Sequence, residues 1–160
     1  MADTRNWVER ADGVRINAGR KRAMLSVCAV GCCCGHTNRG FAPVWTELYQ
    51  AEWERRKIRN DVHLQMGGCL GPCQLANVAM LLFDGHPIWF HSLNEQHLIV
   101  SMFDYIDLMI AANRYLPPPA SLADVVFNGF AWDGAGTTVE ARNGVNESLD
   151  QCVIQLEQRA

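Results

Sequence analysis

The sequence predicts an α/β domain built on a mixed β-sheet flanked by helices, with an N-terminal arm and a C-terminal extension. Three observations carry this expectation. Two apolar, β-compatible stretches each run into a glycine- and cysteine-rich loop, a helical stretch separates them, and two more apolar stretches divided by a tight turn precede a longer helical one.

The 160 residues, 49% of them apolar, suffice for one domain of ordinary size plus an extension, and a second full domain is not expected. With 14 Lys and Arg against 17 Asp and Glu, the net charge is −3. No broad cationic surface is available to hold a nucleic-acid backbone, so nucleic acid is not an expected partner. The start, MADTRNWVERADGVRINAGRKR, is charged throughout and lacks the apolar core of a secretory signal. No later run is long enough to cross a bilayer, so the expected location is the cytoplasm, with no membrane partner.

Each element has a local reason. After a charged arm over residues 1–21, AMLSVCAV reads as the first strand and leads into GCCCGHTNRG. PVWTELYQAEWERRK, from Pro43 to Lys57, opens on proline, spaces Val44, Leu48 and Ala51 at helical intervals and ends on basic residues, which predicts the first helix. VHLQM alternates over Val62 to Met66 as a second strand and enters GGCLGPCQLAN. VAMLLF and PIWF, parted by Asp84, Gly85 and His86, read as a hairpin. Ser92 and Glu95 have the spacing of a capping box ahead of a stripe of Leu98, Met102, Ile106 and Met109, a second helix reaching about Asn113.

One crossover and one hairpin require parallel and antiparallel neighbours in one sheet, the β-α-β then β-β-α order of a thioredoxin-like domain over residues 22–116. The triple proline at 117–119 marks the expected boundary of an extension over 117–160. Within it Val145, Leu149, Val153 and Leu156 recur at helical spacing, with Cys152 on the same side as a small buried hydrophobe.

Six of the seven cysteines lie in the two loops, which in a reducing compartment points to metal ligation ahead of disulfides. Cys28 and Cys33 are separated by four residues, Cys33 and Cys69 by thirty-five, and Cys69 and Cys73 by three. A [2Fe-2S] cluster needs four thiolates, and two loops carried side by side by adjacent strands supply them as Cys28, Cys33, Cys69 and Cys73. Glycines in the loops let backbone N–H groups turn toward the sulfurs of an anionic centre. Cys32, Cys33 and Cys34 are consecutive, and neighbouring side chains are expected to point in different directions. Cys33 is chosen by its spacing from Cys28.

The pattern C-x4-C-x35-C-x3-C is similar to that of the thioredoxin-like ferredoxin subunit of respiratory NADH dehydrogenases and of related free bacterial ferredoxins, over roughly residues 22 to 112. CCCGHTNRGFAPVW and GCLGPCQLANV also resemble a ferredoxin group associated with corrin and cobalt-cofactor metabolism. The resemblance implies the fold, the [2Fe-2S] cluster and a homodimer, to which PIWF adds apolar surface near a sheet edge. Some relatives end a longer first loop in Cys-Gly, which implies Cys34, before Gly35, as the substitute for Cys33.

The expected function is therefore one-electron transfer between a reductase and an acceptor enzyme, with no catalytic residues of its own. The rivals are a zinc- or cluster-stabilised binding or assembly module and a fixed subunit of a larger oxidoreductase. A dithiol enzyme would space its cysteines by two at a helix start, and histidine ligation through His36 and His63 competes with four cysteines already available. Trp45, Tyr49 and Trp53 are expected in the core, and Arg39 is read as an exposed arginine.

Overall fold

A computed structural model of the chain describes residues 6–129. The mixed sheet expected from the pattern is present, with a fifth strand beyond the four expected. β3 (Ala23–Cys28) lies between β4 (Val62–Gly67), parallel to it, and β5 (Ala79–Phe83), antiparallel to it. β6 (His86–Phe90) follows β5 across an Asp84–Gly85 turn, in which both residues take positive φ as a tight hairpin requires. With α1 (Thr46–Arg55) between β3 and β4, and α2 (Gln96–Ala112) after β6, the arrangement is thioredoxin-like.

The pleat sorts the side chains. Ala23, Leu25 and Val27 of β3, Leu81 and Phe83 of β5, and Ile88 and Phe90 of β6 join the main core with Tyr49 of α1 and the buried stripe of α2. Cys28 and Trp89, on alternate positions, join a second cluster with Cys33, Cys34, Phe41, Ala76 and Val78. The aromatic row of α1 serves the core: Tyr49 is buried, Trp45 Nε1 donates to the Asn94 carbonyl at 3.1 Å, and Trp53 Nε1 donates to the Val62 carbonyl at 2.9 Å. The helices meet where Arg56 reaches Glu52 at 2.8 Å, Asp104 at 2.7 Å and Asp107 at 2.5 Å.

Four expectations require correction. The charged arm contains an antiparallel hairpin, β1 (Trp7–Glu9) with β2 (Arg15–Asn17), turned by Gly13 at φ +80. The sheet and core continue past the triple proline: Leu122 and Val125 of the 3-10 segment Ala120–Val125 are buried, and β7 (Val126–Phe127) pairs with β6. PIWF is therefore not at a free edge; Ile88, Trp89 and Phe90 are buried, and Gly129 lies so near Trp89 that a Cβ there would come within 2.4 Å of the ring.

The Ser92–Glu95 capping box does not form. Glu95 caps α2 without a side-chain bond, while Ser92, at φ +50, sets its Oγ 3.0 Å from His91 Nδ1. The amphipathic stretch at 145–156, with Cys152, lies outside the described residues. No helix among the described residues is long and apolar enough to cross a membrane.

Candidate metal centre

Strand register positions the centre. Cys28, the last residue of β3, pairs with Gly67, the last of β4, so both cysteine loops start from the same end of adjacent strands. The Gly67 carbonyl accepts the N–H groups of Ala29 and Val30 at 2.9 and 3.2 Å, and Cys28 N–H donates to the Val78 carbonyl at 3.0 Å. Where the loops meet, Gly31 at φ +136 passes the second loop so closely that an added Cβ would lie 3.5 Å from that of Cys69. Gly71, at φ +111, turns its N–H onto Cys69 Sγ at 3.3 Å.

Five thiols converge here. The Sγ atoms of Cys28, Cys33 and Cys34, all buried, lie within 4.8 Å of one another. Those of Cys69, exposed, and Cys73, half-buried, lie 3.6 Å apart. All five line one hollow with Leu70, Gly71, Pro72 and Val78. The four residues chosen from spacing are thus brought together, and Cys34 with them. Consecutive side chains do not diverge as expected: Cys33 and Cys34 place their sulfurs 3.7 Å apart.

The protons are unequally shared. The Cys28 thiol is lowered to about 3, first by hydrogen bonding from Cys33 and then from Cys34. The same bonding drives Cys33 well above the ordinary thiol range and Cys34 up to about 12, while burial foremost raises Cys73 to about 12. The closely packed, buried thiols of Cys28, Cys33 and Cys34 tolerate one negative charge among them but not three. Several thiolates held this close need a cation in their midst, which is the condition of metal ligation.

The donor set fits such a group. It is all sulfur, the chemistry that selects iron-sulfur clusters or zinc. With metal–sulfur bonds of about 2.3 Å, two ligands of one tetrahedral metal stand about 3.8 Å apart, close to the spacing of Cys69 and Cys73.

The chain is similar to thioredoxin-like [2Fe-2S] ferredoxins. One from Aquifex aeolicus has 15% identity and a TM-score of 0.42, over 68% of this chain and 93% of that one. A wild-type structure of the Aquifex aeolicus protein has 16% identity and a TM-score of 0.41, over 68% and 99%. A variant with one cysteine replaced by serine has 13% and 0.42, over 66% and 98%. No protein-family model matches the chain, and no curated protein matches it. Likeness at this level assigns no ligand, and the thiols of this chain carry the reading that follows.

The other candidates lie apart. His63 is exposed near the start of β4, away from the Cys28–Gly67 end, and His36 follows Cys34 in the first loop outside the thiol group. Arg39 is exposed and donates to the Cys32 carbonyl at 3.1 Å, bracing the loop backbone rather than a thiol. Cys32 is half-buried and is not among the converging thiols. Sequence reasoning missed Asn77, a buried polar residue whose only sequence signal is its place at the end of the second loop.

Proposed function

We propose that the protein is a one-electron carrier holding a [2Fe-2S] cluster through Cys28, Cys33, Cys69 and Cys73. The observation that carries this is the convergence of five thiols, from two loops at the ends of adjacent strands, on one hollow. Two bridged irons take two thiolates each, and each loop supplies such a pair. When bound, the cluster accepts and releases one electron. Cys28 and Cys33 hold the inner side, and Cys69, the exposed thiol, brings the outer side to the surface where a partner approaches. Cys33 is preferred to Cys34 for its spacing from Cys28, with four residues between them.

The chain then works between a reductase and an acceptor enzyme as a cytoplasmic homodimer. A place in corrin metabolism rests only on the likeness of the two loop sequences. The test is a potentiometric titration of the anaerobic protein. Reversible uptake of one electron per chain supports the reading, and a colourless protein that takes up none refutes it in favour of a zinc-stabilised module.

A further inference from the structure

We infer that Asn77 is a positioning residue: it clamps the exits of the two cysteine loops together and so sets the distance between the thiols that share the centre. The inference rests on the ligand reading above. The loops are joined at their bases by the hydrogen bonds to the Gly67 carbonyl, and the Val78 carbonyl ties the second loop's exit to Cys28 N–H. Their exits, Phe41 to Pro43 before α1 and Ala76 to Val78 before β5, belong to no common ladder. Asn77 spans them. It is 3% exposed, and its Nδ2 donates to the carbonyls of both Ala42, at 3.3 Å, and Pro43, at 2.9 Å.

Its backbone is held as firmly. Asn77 N–H donates to Asn94 Oδ1 at 3.2 Å, and its carbonyl accepts Leu93 N–H at 3.0 Å. The Asn94 carbonyl in turn takes the indole N–H of Trp45, two residues beyond Pro43. The amide orientation has one solution. Its Oδ1 is buried with no hydrogen-bond partner among the described residues, and turning the amide over would press that oxygen against two carbonyl oxygens. Asn77 lies four residues after Cys73, and the carbonyls it holds lie eight and nine residues after Cys34. Releasing it lets the Cys33 loop move against Cys73 while leaving both strands paired.

The experiment uses the full chain purified anaerobically with its metal, as wild type, Asn77→Ala and Leu122→Ala. Leu122 is buried far along the chain from both loops, so its variant controls for lost stability. Iron release into excess EDTA, the spectrum of the reduced state and the midpoint potential are read for each. Asn77→Ala is expected to release iron about tenfold faster, since two hydrogen bonds to the closed loops are lost, with a broadened reduced-state spectrum and a shifted potential. Leu122→Ala should keep the wild-type spectrum and potential.

If Asn77→Ala does not fold, Asn94→Ala, which removes the acceptor of the Asn77 N–H, should show the same changes to a smaller degree. Release rate, spectrum and potential equal to wild type in the folded variant overturn the clamp. A wild-type protein without iron and labile sulfide instead overturns the ligand reading itself.

Discussion

The Sγ atoms of Cys33 and Cys34 lie 3.7 Å apart and both are buried, so two consecutive side chains enter one hollow. The centre therefore has one thiol more than a four-ligand cluster uses. Single serine variants should separate them. Cys33→Ser is expected to lose most of the cluster or shift its reduced-state spectrum, and Cys34→Ser to keep both. The reverse pattern in iron and labile-sulfide content would place the ligand at Cys34.

Arg56 ties α1 to α2, with its side chain 7% exposed against a Glu52 side chain 10% exposed. Removing one member of a buried ion pair leaves the other charge uncompensated. Arg56→Ala should cost about 3 kcal/mol of stability, read as a lowered urea midpoint. Asp104 and Asp107, more exposed, should contribute little when removed singly.

Hydrogen bonding from Arg55 first, and then Arg56, holds the Glu52 carboxyl below its ordinary 4.5. A carboxyl depressed on folding adds stability that is fully present above its unfolded pKa and is lost as pH falls through the lower folded value. Urea midpoints of wild type and Glu52→Gln should thus differ most above pH 4.5 and converge in acid. A gap that widens on acidification would contradict this.

Leu122 is 0% exposed on a segment beyond the triple proline. Leu122→Ala should lower stability by about 2–4 kcal/mol, as core truncations do. A change below about 0.5 kcal/mol, typical of surface sites, would show that residues after Pro119 do not belong to the core.

What was legible in the sequence follows from period and register. Ala23–Cys28 and Val62–Gly67 end in loops whose glycines and cysteines announce themselves, and a crossover helix makes those strands parallel, so the meeting of Cys28 with Cys69 and Cys73 could be read without coordinates. The Trp7–Glu9 hairpin was not legible because its strands have three residues each, all exposed and interspersed with charge. Val126–Phe127 was hidden by the prolines, which stop a helix but not a chain that returns to pair with Phe90. The inward turn of Cys34 and the role of Asn77 depend on loop conformation, to which hydrophobic period is blind.

The most direct test of the central claim is the composition and paramagnetism of the anaerobically purified protein. Two irons and two acid-labile sulfides per chain, with a paramagnetic signal appearing on one-electron reduction, are the expected result. Stoichiometric zinc without labile sulfide would contradict it.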